Sequence, residues 1–277
     1  MFISIITPVY NREKEIKVLY ESIVDNDKEL LLKTEWIIVD DGSVDNIKGV
    51  INEFIADDRL VIKYIKKENG GKHTALNVGF SHARGEYITI IDSDDYLLPN
   101  GLDIIIKNSY SSISIFKHAI TQSSDFKKKL YTLDEFLGIR GDRLFVFKRD
   151  ILIKYQFPEH QNEKFVTESV VFNKIFYMEK ANCFNYEVVS GEYLPNGLSD
   201  SYQKLLKNSP LGVFDLIDTN LKFDMLTTEI LKQTAFHFAA IFTIKNIYKV
   251  LVKYPLSKSI RLILATAYVL IKRSLKN

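Results

Sequence analysis

The sequence predicts an α/β fold: a mostly parallel central sheet, Rossmann-like, with helices on both faces and a helical C-terminal extension. Three observations point there. Between residues 2 and 91, apolar runs of strand length alternate with stretches of helical periodicity. Each of those runs ends in a short polar segment, as strands do where an open α/β sheet meets its ligands. After residue 200 the pattern is helical and strongly basic.

Phe2–Ile6 reads as the first strand, stopped by Thr7-Pro8. Ile16, Leu19, Tyr20 and Ile23 then fall on one face of a helix over Glu13–Val24. Trp36–Val39 is the second strand and ends in Asp40-Asp41-Gly42-Ser43. Ile47, Val50, Ile51 and Phe54 form a second helical stripe. Leu60–Ile65 is the third strand, closed by Lys66-Lys67-Glu68-Asn69-Gly70-Gly71, and Thr74–Ala83 is a short helix. The fourth strand, Glu86–Ile91, releases Asp92-Ser93-Asp94-Asp95, three carboxylates in four positions. Such carboxylates repel one another unless a cation sits among them, and magnesium or manganese prefers oxygen ligands of this kind. An acidic surface turn is the plainer alternative for this motif alone.

Bulk properties narrow the class. The 277 residues are 46% hydrophobic and 26% charged, which suits a globular chain rather than a disordered one. Cys183 stands alone, so no internal disulfide forms; it reads as a small buried apolar residue in a reducing, cytoplasmic setting. The start, Met1-Phe2-Ile3, lacks the basic n-region of a signal peptide. Charge is uneven: residues 225–277 hold nine Lys/Arg and one acid, Glu229, leaving 28 basic and 34 acidic residues before them. No G-x-G-x-x-G follows the first strand, which argues against a dinucleotide-dependent oxidoreductase. Gly70-Gly71-Lys72-His73 is not a P-loop, because neither Ser nor Thr follows the Lys.

Four motifs in order, Thr7-Pro8-Val9-Tyr10-Asn11, Asp40-Asp41-Gly42-Ser43, Gly79 through Ala83-Arg84-Gly85-Glu86-Tyr87-Ile88, and Asp92-Ser93-Asp94-Asp95, resemble the family 2 glycosyltransferases of the GT-A fold. The resemblance covers residues 1–105. It implies an inverting transferase that uses a nucleotide-diphospho-sugar, UDP-sugar foremost, with Mn2+ or Mg2+. Carried over by position, Thr7, Pro8 and Tyr10 line the nucleotide pocket, Asp41 takes the base's ring N–H, and Asp40 helps place the ribose. Asp92 and Asp94 form the D-x-D pair, with Asp94 the direct metal contact and Asp95 nearby. Lys72 approaches the diphosphate as a point charge or stays solvated; His73 reads as structural.

Residues 106–205 match less closely and are expected to form the acceptor-binding half. Ser114–Ile120 and Leu144–Phe147 read as strands, Thr132–Leu137 as a short helix, and Phe157–Phe165 as a polar loop. Thr167 is an expected N-cap of a helix carrying Val170, Val171, Ile175 and Phe176, which puts Glu168 in its first turn. Similar transferases open a helix here with an acidic pair that supplies the base. This chain has Glu168 followed by Ser169, so Glu168 is the expected catalytic base, with a helix-start carboxylate and another acid such as Glu163 as the alternatives. Tyr193–Ser199 is rich in turn formers and reads as a surface turn or a cover over the donor.

The extension, residues 206–277, is helical: Ser201–Leu221, Leu226–Lys253 and Ser257–Leu275 read as helices, the last two parted at Pro255. Its uncharged stretches of 12 and 10 residues fall short of the ~20 that cross a bilayer. They fit helices on an anionic membrane surface, or a subdomain packed on the core; His237 reads as core. Basic residues interleaved with aliphatic runs argue against nucleic acid. The expected activity is sugar transfer to a lipid-linked glycan for surface polysaccharide, at the membrane's cytoplasmic face. A sugar-nucleotidyltransferase and a non-catalytic nucleotide-sugar-binding protein are the alternatives.

Overall fold

The computed structural model describes residues 1–121, 124–191, 198–223 and 226–275. Its first third runs β1 (Ile3–Val9), α1 (Glu15–Val24), α2 (Lys28–Leu32), β2 (Thr34–Asp40), α3 (Ile47–Asp57), β3 (Val61–Lys66), α4 (Lys72–His82) and β4 (Tyr87–Ile90). Then come β5 (Asp95–Leu97), α5 (Gly101–Asn108), β6 (Ile113–His118), β7 (Leu130–Tyr131), α6 (Leu133–Leu137), β8 (Arg143–Lys148), α7 (Arg149–Leu152), α8 (Ser169–Met178) and β9 (Ala181–Gly191). Five helices follow: α9 (Leu198–Asn208), α10 (Pro210–Lys222), α11 (Thr228–Phe238), α12 (Ile244–Lys253) and α13 (Leu256–Ser274).

One sheet joins the described strands in the order β3-β2-β1-β4-β8-β6-β9-β5, with β7 on β9. The four β1–β4 strands are parallel, and antiparallel pairs enter with β8. Successive residues supply opposite faces. Ile3 and Ile5 pack with Trp36 and Ile38 against α1 and α3, whereas Ile6 joins Ile37, Val39 and Ile88 on the other side. Burial on both faces is why these strands read as unbroken apolar runs. β3 lies at the sheet edge and alternates between exposed and half-buried residues.

Beyond β4 the structure adds the unexpected short elements β5, α5, β7 and α7, and four further departures from the sequence reading have a clear physical cause. β9 was not expected; its centre, Asn185-Tyr186-Glu187, is exposed, and its register with β6 shifts there. A bulge of this kind breaks the apolar period that marks a strand. The expected helix Ser201–Leu221 is two helices parted at Ser209-Pro210, since proline brings no N–H to an interior turn. The expected helix Leu226–Lys253 is also divided, by a 3-10 turn at Ala239–Ile241 and a fresh N-cap, where the Thr243 hydroxyl accepts from the Asn246 N–H at 3.2 Å. Thr167 does not cap α8. The helix opens at Ser169 with Glu168 in the cap position, and the Thr167 hydroxyl accepts from Tyr202 instead, at 3.5 Å. Residues 192–197, most of the turn-rich segment, lie outside the described residues.

The C-terminal helices are part of the core. Ile230, Phe238, Val250 and Leu262 are buried in the same apolar cluster as Ile6, Ile88 and Val170. His237 is buried as expected and contacts the Gln233 carbonyl and the Tyr202 hydroxyl. Cys183 is buried too, and burial pushes its thiol up to about 12.

Candidate active site

The carboxyl ends of β2 and β4 carry the acidic motifs and that of β1 carries Thr7–Asn11, and hydrogen bonds tie their loops into one edge. The Thr7 hydroxyl donates to the Ile91 carbonyl at 2.8 Å and accepts from the Trp36 indole N–H at 2.9 Å. Thr7 is fully buried with its hydroxyl engaged, so it braces the loop that carries the aspartates. Pro8 is buried beside Val39, while Tyr10 is 48% exposed.

Asp40 and Asp41 are both buried and both hold backbone. Asp40 accepts from the Ser43 N–H at 2.7 Å and the Tyr64 hydroxyl at 2.6 Å. Burial works against its charge, but those donors outweigh it and keep the pKa below the usual carboxylate range. Asp41 accepts from the Gly70 N–H at 2.9 Å, the Gly71 N–H at 2.8 Å and Lys67 Nζ at 2.8 Å. The glycine turn therefore points its amides at Asp41. Gly71 has φ +96°, and a Cβ there would lie 2.0 Å from the Lys164 carbonyl oxygen.

That turn delivers Lys72, the first residue of α4, to the wall of a cavity of about 430 Å³. Lys72 Nζ lies 2.7 Å from Asp92 Oδ2 and 2.8 Å from Glu168 Oε1. Burial opposes the ammonium's charge, but the two carboxylates outweigh it and raise its pKa. Asp92 Oδ1 is buried with no hydrogen-bond partner. Burial and repulsion from Asp92 and Asp95 raise the Asp94 pKa above the carboxylate range. Burial and Asp92 do the same to Asp95, against the His118 ring, whose Nε2 is 3.3 Å from Asp95 Oδ1. This corner concentrates negative charge faster than the protein neutralises it.

The far wall of the cavity is apolar, formed by Leu133, Phe136, Phe145, Phe172 and Phe176, and closed by Asn173 and Gln233. Asn173 Nδ2 donates to Asn220 Oδ1 at 3.0 Å and to Gln233 Oε1 at 2.6 Å, and Gln233 Nε2 donates to Ser169 Oγ at 3.1 Å. Through this network α10 and α11 hold the opening turn of α8, where Glu168 stands.

A family model described as glycosyl transferase family 2 matches residues 4–173. The chain belongs to that family.

Among curated relatives, this chain is 38% identical over 103 residues to glycosyltransferase GlyG of Streptococcus pneumoniae, a stretch that is 37% of this chain and 33% of that protein. It is 28% identical over 200 residues, 65% of this chain and 62% of the relative, to the GalNAc(5)-diNAcBac-PP-undecaprenol beta-1,3-glucosyltransferase of Campylobacter jejuni. The chain thus spans a third of GlyG's length and less than two thirds of the second relative's. Among solved structures, S. aureus TarS in complex with UDP-GlcNAc superposes with a TM-score of 0.62 at 20% identity, over 96% of this chain and 79% of that one. The mannosyltransferase PcManGT of Pyrobaculum calidifontis, with GDP-Man and Mn2+, gives 0.59 at 18% identity over 99% and 79%. These likenesses establish the GT-A fold, a mixed sheet with helices on its faces and C-terminal helices beyond.

Of the residues named from sequence, Lys72, Asp92, Asp94 and Glu168 line one cavity, together with Asp95. Thr7, Pro8, Tyr10, Asp40 and Asp41 stand outside its wall. Glu163, the alternative base, accepts from the Leu211 and Gly212 N–H groups, both at 3.0 Å, and so caps α10. His73 is buried, and burial lowers it to about 4. Sequence reading missed His118 and the phenylalanine wall. His118 ends a strand with no motif around it, and the phenylalanines look like any core residues until α6, β8 and α8 bring them together.

Proposed function

We propose that this transferase moves a sugar, with inversion, from a nucleotide-diphospho-sugar to a lipid-linked glycan at the inner membrane face, in surface polysaccharide synthesis. One observation carries the reading: a single ammonium joins a candidate base, Glu168, to the D-x-D carboxylate Asp92 inside one cavity. TarS with UDP-GlcNAc supports UDP as the nucleotide, and the undecaprenol-linked substrate in the C. jejuni relative's name supports the acceptor class.

The residues also fit Mn2+ or Mg2+. Asp92 Oδ1 is a buried oxygen without a partner, and Asp94 lies under carboxylate repulsion. No group of three or more metal-holding side chains is assembled among the described residues. Magnesium-type sites often take one or two carboxylates and complete their shell with substrate phosphates and water. Asp92 and Asp94 would hold the ion, which would neutralise charge on the departing diphosphate.

The acceptor hydroxyl oxygen forms a bond to the anomeric carbon as the carbon–diphosphate bond breaks, and that bond's electron pair leaves with the nucleoside diphosphate. Glu168 takes the hydroxyl proton. Its Oε1 is engaged by Lys72, so Lys72 must turn away before that oxygen can act, and the incoming diphosphate offers it a stronger partner.

A thermal-shift screen of nucleotide sugars with Mn2+ tests this. One donor should stabilise the chain, and the gain should vanish in Asp94→Ala. If no donor shifts the transition, or if Asp94→Ala keeps the whole gain, the donor and metal roles fall. Binding without sugar release when acceptor is present would favour a non-catalytic protein.

A further inference from the structure

Helices α12 and α13 turn an apolar face outward. Along α13 and its C-cap, Leu256, Ile260, Leu264, Tyr268, Ile271 and Leu275 are all exposed and recur every three or four residues. That spacing draws one stripe along the helix, about 28 Å long at 1.5 Å per residue. On α12, Ile244, Tyr248 and Val252 repeat the pattern at four-residue steps. The opposite sides of both helices are already packed, with Val250, Ser259, Leu262 and Thr266 buried. The stripe is therefore a second apolar face, left over after the core is complete.

Its charge is as one-sided as its shape. From residue 230 onward the sequence contains no Asp or Glu. Lys245, Lys249, Arg261 and Lys272 are exposed on the same two helices. No described helix is long and apolar enough to cross a membrane. A second copy of the chain is a poor partner, because joining two such faces would set like charges together with no acid on either helix to pair them.

We infer that the α12–α13 face lies on an anionic bilayer, its apolar stripe at the headgroup boundary and its cations against lipid phosphates. This rests on the lipid-linked-acceptor reading only for its purpose and deepens it by naming the surface. α11 packs against α13 and also carries Gln233 into the cavity wall. One helix thus separates the lipid-facing surface from the chamber that would receive a lipid-borne acceptor.

Sedimentation of the full chain with vesicles tests the inference without any donor sugar, so it can fail while sugar transfer stands, or succeed while transfer fails. Wild type should pellet with phosphatidylcholine vesicles containing phosphatidylglycerol and stay in solution with phosphatidylcholine alone. The double variant Leu264→Glu/Tyr268→Glu changes two side chains that are each 65% exposed. It should bind at least about tenfold more weakly while keeping the wild-type melting transition. Lys245→Gln/Lys272→Gln should weaken binding by a similar factor, about fivefold per charge, and flatten its salt dependence. Three results would overturn the inference: no pelleting of wild type on either vesicle, equal pelleting on both, or a wild-type dimer in solution that the Glu variants convert to monomer.

Discussion

The ammonium of Lys72 reaches Asp92 and Glu168 at once, and the proposed sugar transfer would ask opposite things of those two carboxylates: one to hold a cation, the other to accept a proton. Glu168→Gln keeps the shape of the base and removes its proton affinity. Donor affinity should stay near wild type while turnover falls about 10²–10⁴-fold. Survival of turnover in a steady-state assay would move the base elsewhere, though not to Glu163, which is occupied at the start of α10. Asp94 gives a prediction of the opposite kind. Its folded pKa is raised above the unfolded value, so without metal its ionisation costs stability. That cost is absent below the unfolded pKa and grows as pH rises through the folded one. Asp94→Asn should therefore melt about 2 °C higher than wild type at neutral pH without metal, converge with it in acid, and lose the gain from Mn2+. A lower melting point at neutral pH would show that Asp94 is not under repulsion. The residue types at this corner were legible from the acidic run that ends the fourth strand. Their division of labour was not, because a sequence does not show which carboxylates the backbone has already claimed. Asp41 has its oxygens on the Gly70 and Gly71 amides, and only the folded turn reveals that.

At the level of elements, the turn between β3 and α4 sets where Lys72 stands. Gly71→Ala would force a side chain onto a left-handed backbone and against the Lys164 carbonyl. It should cost about 2 kcal/mol in chemical denaturation and weaken donor binding by dislodging Asp41's partners. An unchanged denaturation midpoint would mean that the turn can take another shape. β1, β2 and β4 were readable because both their faces are buried, so each is a continuous apolar run; β3, at the sheet edge, was readable only from its concentration of Val61, Ile62, Tyr64 and Ile65. β9 was not, because its exposed Asn185–Glu187 bulge interrupts the pattern in mid-strand. Two helical breaks in the tail were missed for a related reason. Periodicity carries across Ser209-Pro210 and Ala239–Ile241, while a missing N–H and a new cap stop the helices there.

For the whole molecule, the tail serves the core and the surface together. A chain ending before Thr228 loses Ile230, Phe238, Ile241, Val250 and Leu262 from the core, each at most 6% exposed. At about 1.5–3 kcal/mol apiece, that is comparable with the roughly 5–15 kcal/mol net stability of a typical domain. The truncated chain should show no cooperative thermal transition by circular dichroism. A sharp transition would mean that residues 1–227 fold alone. Truncation is thus the wrong tool for asking what the tail docks on, and point changes on its outer face are the right one.

The amino ends of the parallel strands hold a separate cluster. Glu35, 2% exposed, accepts from Ser4 Oγ at 2.6 Å, the Arg84 N–H at 2.6 Å and Arg84 Nε at 3.0 Å, and a Cβ on Gly85 would sit 2.6 Å from the Ser4 nitrogen. Arg84-Gly85 belongs to the stretch that resembles the family, yet it fastens the floor of the sheet, opposite the mouth where sugar chemistry would happen. On the proposed mechanism, a descendant that shed Asp94 and Glu168 would fall silent as an enzyme, yet go on carrying a good part of its kin's signature intact.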